Sequence, residues 1–210
     1  MLTIEREIYK KGFEKIACID EVGRGCLAGD VIACAIIMPK DLKLSGVNDS
    51  KKLSKKKREM LNEIIREKAI AIGIGSATPD EIDEVNIKNA THMAMIRAVK
   101  NIEDKEGNSI TPDFLLVDAE TLPVTIPQLG VIKGDAKSHG IAAASIVAKV
   151  ERDYMMAQLH EKIGVYHFDK NAGYGTKAHI QAIKHHGTSS YHRKSFLKKI
   201  LDDNEQQKWL

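Results

Sequence analysis

Asp20 and Glu21 stand side by side at the end of the apolar run Ile16-Ala17-Cys18-Ile19, and Gly23-Arg24-Gly25 follows at once. Successive side chains of a strand take opposite faces, so neighbouring acids reach one metal only where the strand stops and the backbone turns. A glycine-flanked arginine beside them suits a polyanion whose backbone approaches closely. Two further acids repeat the placement: Asp118 ends the run Phe114-Leu115-Leu116-Val117, and Asp135 follows Val131-Ile132-Lys133-Gly134. An acid directly after a hydrophobic strand sits at the strand's carboxyl end, where open α/β sheets place their sites. Together these residues point to a divalent metal held by carboxylates and acting on a nucleic-acid phosphate. Asp153, between Arg152 and Tyr154 inside a helical stretch, reads instead as a surface ion pair along its helix.

The elements that must position these acids alternate strand and helix patterns without an internal repeat, which predicts an α/β fold. Strands are expected at Lys15–Asp20, at Val31–Met38 paired with the first, at Ala69–Ala77, and at Phe114–Val117. Ser54 is placed to cap a helix running to about Lys68, and Thr78-Pro79-Asp80-Glu81 combines an N-cap, a first-turn proline and a capping-box glutamate. A longer helix is expected over Ile87–Ile102. Within Ser138–Ile163 the residues Ile141, Ala142, Ala144, Ser145, Ala148 and Lys149 give a small-residue face for close packing on a sheet.

With 210 residues, 43% hydrophobic and 29% charged, the chain has enough apolar content for one full core. No apolar stretch approaches the roughly 20 residues of a membrane span, and Met1–Lys11 mixes acids and bases, so a cytoplasmic protein is expected. Cys18, Cys26 and Cys34 are odd in number and widely spaced, which predicts reduced, buried thiols. Net charge is only +3, yet it is unevenly spread. Lys51, Lys52 and Lys55–Arg58 form one basic segment, and Lys170–Lys199 holds seven Lys/Arg and no Asp or Glu. Two basic segments in a chain that also concentrates carboxylates suit a phosphate backbone crossing a metal site. His185 and His186 point about 100° apart on a helix, which favours solvent or phosphate contact over zinc.

The chain resembles the bacterial ribonuclease HII family. Asp20-Glu21-Val22-Gly23-Arg24-Gly25, Asn48-Asp49-Ser50-Lys51, Val117-Asp118, Lys133–Ser138, Ala143–Lys149, and Gly173–Lys177 with His192-Arg193 occur in the family's order. The resemblance implies a ribonuclease-H-like fold, a mixed central β-sheet flanked by helices, with a C-terminal helical extension. It implies a catalytic domain over 1–168 and a helical substrate-binding part over 169–210. Asp20, Glu21, Asp118 and Asp135 fall on the family's catalytic, metal-binding carboxylates, with Mn²⁺ or Mg²⁺ as cofactor and one or two ions left open. The implied reaction is hydrolysis of the RNA strand of RNA/DNA hybrids and nicking of duplex DNA 5′ to an embedded ribonucleotide, leaving 3′-hydroxyl and 5′-phosphate ends. Its implied role is ribonucleotide removal from DNA.

By the same resemblance Gly23, Arg24 and Gly25 sense the 2′-hydroxyl, and Tyr174 packs on the sugar of the following deoxynucleotide. Ser50 and Lys51 match phosphate-contacting positions, with Lys137, Ser138, Lys149, Thr176, Lys177 and Arg193 as further substrate contacts. Two positions depart from the family pattern: Asp30 stands where proline is typical and Ala119 where glycine is typical. A monomer is expected, and the tail Asn204–Leu210 offers an aromatic-aliphatic pair for docking on a sliding clamp. The alternative reading is a non-catalytic hybrid-binding protein, which leaves the strand-end acids unexplained. A phosphotransferase would need a Gly-x-x-x-x-Gly-Lys-Ser/Thr loop, and the sequence has none.

Overall fold

The structure, a computed structural model, describes residues 1–48 and 53–206, apart from the side chains of residues 199 and 202–206. Its elements run α1 (Thr3–Lys10), β1 (Ile16–Val22), β2 (Val31–Ile37), α2 (Lys55–Lys68), β3 (Ala71–Ala77), α3 (Pro79–Lys100), β4 (Phe114–Asp118) and β5 (Gln128–Val131). They continue with α4 (Gly134–Lys137), α5 (His139–Lys162), a short 3-10 turn at Gly164–Tyr166, α6 (Phe168–Asn171), α7 (Lys177–His186) and α8 (Lys194–Gln206). The strands form one mixed sheet in the order β3-β2-β1-β4-β5. β2 is antiparallel to β1 and β3, whereas β4 is parallel to β1 and β5.

Side-chain alternation divides the sheet between two cores. Cys18, Cys34, Ile36 and Leu116 face Ile141, Ala142, Ala144 and Ala148 of α5. Ala17, Ile19, Ala33, Ala35, Leu115 and Val117 face Ala90, Ala94, Met95 and Ala98 of α3. With both faces covered, β2 is buried along its whole length and reads as a continuous apolar run. The predicted small-residue face brings α5 close to β1, where a Cβ added at Gly140 would stand 2.2 Å from Cys18 Sγ. On the other face, a Cβ at Gly73 would stand 2.1 Å from the Ala98 carbonyl oxygen and one at Gly75 2.2 Å from that of Ala94.

Local signals work as the sequence predicts. Ser54 Oγ accepts from Lys57 N–H, and Thr78 and Glu81 form the capping box at 3.3 and 2.9 Å. Within α3 the backbone leaves helical geometry at Asn86, φ 69°, whose Oδ1 accepts from Lys88 N–H at 3.0 Å and Asn89 N–H at 3.2 Å. The stretch from Ile87 onward is therefore a separately capped helix, as its sequence suggests.

Two elements are not foreseen. α1 hides its period in mixed charge, yet Ile8 and Glu5 are buried, and Glu5 Oε1 accepts from Ser138 Oγ at 2.7 Å and Gly140 N–H at 3.1 Å. β5 is a short, half-exposed edge strand with little apolar signal. Beyond α5 the chain builds a third cluster, in which Leu27 and Ala28 meet Met156, Leu159, Tyr166, Phe168, Ile183 and Leu197. Asp83 ties this part down by accepting from the N–H groups of Lys194 and Ser195 at 2.8 and 3.0 Å. Among the described residues no helix is long and apolar enough to cross a membrane.

The contact of α3 with β3 leaves no room for a methyl group against backbone. Gly75→Ala is expected to lower unfolding free energy by roughly 3 kcal/mol, as overpacking does, read as a lower midpoint in urea at constant slope. An unchanged midpoint would show that α3 can lift off the sheet at little cost.

Candidate active site

β1 and β4 run side by side only from Ile16 with Phe114 to Ile19 with Val117. Past that point β1 stays on β2, pairing Asp20 with Cys34, Glu21 with Ala33 and Val22 with Ile32. β4 stays on β5, pairing Asp118 with Val131. The two parallel strands part at their carboxyl ends and open a cleft between them. This corrects the expectation that the first strand stops at Asp20: it continues to Val22, so Asp20 and Glu21 are strand residues on opposite faces. They meet at one site because their edge has lost its β4 partner. Asp20, Glu21, Val22, Asp118, Ser145, Lys149 and Tyr174 line the resulting cleft of about 120 Å³.

Crowding sets the electrostatics. Asp20 is 5% exposed, and burial, with the charges of Glu21 and Asp118, pushes its carboxyl well above the usual range against the bonds from Ser145 and Glu21 N–H. Glu21 is raised as well, chiefly by burial, although Arg24 pulls it down. Asp118 Oδ1 accepts the Gly134 N–H at 2.6 Å, which fixes the chain leading into α4. Asp135 follows Gly134 directly in α4 and is not among the residues lining the cleft.

All-oxygen donors suit a hard divalent cation better than zinc. Glu21 Oε2 is buried and, among the described residues, has no hydrogen-bond partner, as a carboxylate facing a cation site would be. Three converging carboxylates, two of which, Asp20 and Glu21, have disfavoured ionisation, fit that ion. Among the described residues no group of three or more His, Cys, Asp or Glu side chains is arranged as it stands to hold a metal ion.

Glu120 and His92 are functional-site neighbours that the sequence reading passed over. Arg24 Nη1 lies 2.8 Å from Glu120 Oε1 and 3.4 Å from Glu21 Oε1, and His92 Nε2 lies 3.0 Å from Glu120 Oε2. Burial pushes Glu120 up, but the bonds from His92 and Arg24 outweigh it and hold the carboxyl below the ordinary range. Glu120 follows Asp118 by two residues, so the strand-end logic that selected Asp118 could have found it. For His92, in mid-helix, the sequence carries no such signal.

The glycine loop is set from beneath by two buried arginines. Arg152 Nε donates to the Asp30 carbonyl at 3.0 Å, Nη2 to Ala28 at 3.0 Å and Nη1 to Ala172 at 2.7 Å. Arg193 donates to the Gly29 carbonyl from Nε and Nη2 at 3.0 and 2.7 Å and to the Arg24 carbonyl from Nη1 at 2.9 Å. Gly23, φ 96°, lies over Arg152, and a Cβ there would stand 2.2 Å from its Nε. Tyr174 is exposed at the cleft, its hydroxyl pKa raised by burial of the ring's inner side.

The predicted substrate contacts separate by burial. Lys149 lines the cleft and pairs with Asp153 at 2.6 Å, which confirms the ion-pair reading of Asp153. Gly25, Lys137, Thr176 and Lys177 are exposed, with Thr176 Oγ1 capping α7. Arg193 and Ser138 are corrections: both are fully buried, Arg193 on the loop carbonyls and Ser138 between Ile141 N–H and Glu5. Neither reaches a surface that a phosphate would meet. Ser50 and Lys51 lie outside the described residues.

The profile of the family described as Ribonuclease HII matches residues 17–199. The chain belongs to the ribonuclease HII family. It is a type 2 ribonuclease H, an endonuclease. A Ribonuclease HII of Alkaliphilus oremlandii is 57% identical over 200 residues, 95% of this chain and 98% of that protein. One from Geobacillus sp. is 50% identical over 210 residues, 99% of this chain and 74% of that protein. The ribonuclease H2 of Pyrococcus horikoshii shares the fold, with TM-score 0.72 at 24% identity over 90% of this chain and 98% of that one. A ribonuclease HII of Archaeoglobus fulgidus, solved in complex with PCNA, has TM-score 0.69 at 26% identity, covering 86% of this chain and 94% of that one.

Both departures from the ribonuclease HII pattern have a structural reading. Ala119 holds φ 52°, in the left-handed region where glycine is unstrained and an L side chain costs about 1–2 kcal/mol. Asp30 does not simply sit in water. Burial raises its pKa while Arg152 and Arg193 pull it down, so it serves as the nearby counter-charge of the buried pair.

An acid whose folded-state pKa is raised loses stability as pH climbs from its unfolded to its folded value, because the folded form resists giving up the proton. Asp20→Asn keeps the acceptor for Glu21 N–H at 2.7 Å and removes that penalty. The metal-free variant is expected to melt roughly 2–4 °C above wild type, the shift of about 1 kcal/mol in a chain this size. The gap should widen as pH rises above the ordinary carboxylate range, and equal melting at acid and neutral pH would remove the buried-ionisation argument.

Proposed function

We propose that this chain hydrolyses the RNA strand of RNA/DNA hybrids and nicks duplex DNA on the 5′ side of an embedded ribonucleotide, leaving 3′-hydroxyl and 5′-phosphate ends. The observation that carries this reading is the cleft itself, where Asp20, Glu21 and Asp118 converge beside Lys149 and Tyr174. Asp20, Glu21, Asp118 and Asp135 would hold Mg²⁺ or Mn²⁺. When bound, such an ion supplies a water of lowered pKa and neutralises charge developing on the leaving oxygen. A relative of the same fold described in complex with Mn²⁺, a ribonuclease HIII, supports the choice of ion class.

The chain's own groups do the selecting. Gly25 is open, with no heavy atom within 4 Å of an added Cβ, so the backbone of the Gly23–Gly25 loop offers a ribose close approach. Arg24, held by Glu120, keeps a cation at the rim of the carboxylate cluster. Tyr174 would pack on the deoxyribose that follows the ribonucleotide. Lys149, Lys137, Thr176 and Lys177 supply cations and a hydroxyl along the backbone path. Residues 1–168 would form the catalytic domain and 169–210 the substrate-closing part, in a cytoplasmic monomer acting to remove ribonucleotides from DNA. The PCNA-bound relative supports a clamp contact, for which the sequence offers the tail; its last residues lie outside the described ones. A purely hybrid-binding role leaves three carboxylates facing a phosphate they would repel.

An end-labelled DNA duplex with one ribonucleotide should be nicked 5′ to that residue with Mg²⁺ or Mn²⁺ and not with chelator. Cutting of long hybrids alone would remove the junction specificity, and nicking in chelator would remove the metal. Tyr174→Ala is expected to lose roughly tenfold more kcat on the single-ribonucleotide duplex than on a long hybrid, the effect of about 1.4 kcal/mol. Equal loss on both would contradict a junction-sensing role.

A further inference from the structure

Beneath the loop that carries Tyr174, two imidazoles lie in contact. His179 and His192 are 0% and 1% exposed, with their Nε2 atoms 3.1 Å apart. At one end of the pair, His192 Nδ1 has Ser189 N–H at 3.0 Å and, at 2.9 Å, Ser189 Oγ, whose hydroxyl can turn its proton toward the same nitrogen. A backbone N–H only donates, so that nitrogen is bare and His192 carries its proton on Nε2. At the other end, His179 Nδ1 lies 2.9 Å from the Tyr174 carbonyl oxygen. A carbonyl only accepts, so His179 carries its proton on Nδ1 and its Nε2 is bare. The two assignments, reached from opposite ends, agree in the middle: His192 Nε2–H donates to His179 Nε2.

The surroundings hold this neutral pair. Tyr166 meets His192 and Phe168 meets His179 edge to face, and burial depresses both imidazoles, His192 to about 4. The Tyr174 carbonyl also accepts Thr176 N–H at 2.8 Å, while the Gly173 carbonyl accepts Leu27 N–H at 2.8 Å. The backbone on both sides of the tyrosine is thus fixed, while its side chain stands 42% exposed at the cleft.

We propose that His179 and His192 are positioning residues for Tyr174: the two-imidazole chain running from Ser189 to the Tyr174 carbonyl sets the angle at which that side chain meets the substrate sugar. This rests on the reading of Tyr174 as the junction contact. Apolar side chains would fill the same space, but they would leave the Tyr174 carbonyl with the Thr176 N–H alone, without the second directed donor that His179 adds.

His192→Leu removes the donor to His179, whereas His192→Gln places an amide N–H near the position of Nε2. The leucine variant is expected to lose roughly tenfold more kcat on the single-ribonucleotide duplex than on a long hybrid, as a misplacement near 1 Å can cause, and the glutamine variant to recover most of it. Equal losses on both substrates, in a variant that melts like wild type, would overturn the proposal. Nitrogen-15 shifts of the wild-type protein need no variant: Nδ1–H on His179 with Nε2–H on His192 supports the chain, and any other pair of tautomers overturns it. Tyr174→Ala separates the two levels. If it keeps the junction preference, the reading of Tyr174 falls and the histidine role with it; if it loses that preference while folded His192→Leu keeps it, the histidine role alone falls.

Discussion

The guanidiniums of Arg152 and Arg193 are buried among backbone carbonyls, and the glycine loop beside the cleft is shaped around them. A charge taken out of water costs several kcal/mol unless its hydrogen bonds are met, and here the carbonyls of Arg24, Ala28, Gly29, Asp30 and Ala172 meet them. The dependence is mutual, because those carbonyls belong to chain that leaves the sheet and would otherwise be unsatisfied. A lysine would not serve as well, since one ammonium cannot reach carbonyls spread around a planar fork. Burial lowers the Arg193 pKa to about 10, still leaving it charged near neutrality.

Chemistry needs the opposite condition a few ångströms away. Where the arginines bring satisfied charge into the interior, Asp20 and Glu21 bring charge that is poorly satisfied, and the parting of β1 from β4 puts Asp118 beside them. Such a cluster is destabilising when its charges are unpaired, and a cation bound there would relieve that cost. The rigid side of the cleft makes this tolerable. α5 supplies Ser145 and Lys149 to the cleft and Arg152 to the loop from one helix, so the carboxylates and the Gly23–Gly25 loop share one frame.

Much of this was readable in the residues. An apolar run closed by an acid is a local pattern, and it located Asp20 and Asp118; capping chemistry located the starts of α2 and α3, but not the Asn86 cap inside α3. The glycine typical at position 119 is explained by the left-handed backbone there. What escaped depends on distant partners. Arg152 and Arg193 carry the same letters as surface cations, and only the fold reveals the carbonyls around them. β5 is a strand because β4 lies beside it, and α1 is held by a buried glutamate whose partners are 133 and 135 residues away. Glu21 was found for an incomplete reason: the strand does not end at the acids, its neighbour does.

The bond from Arg193 to the Gly29 carbonyl spans 164 residues of sequence. During synthesis at roughly 5–20 residues per second, about 10–30 s pass between the two ends. Throughout that interval the segment bearing two of the acids is present without the Arg193 guanidinium, and the loop beside it has only Arg152, itself made well after the acids, to close on. The order of translation therefore completes the loop late: a nascent chain truncated before Arg193 carries the carboxylates beside a loop held by Arg152 but not by Arg193.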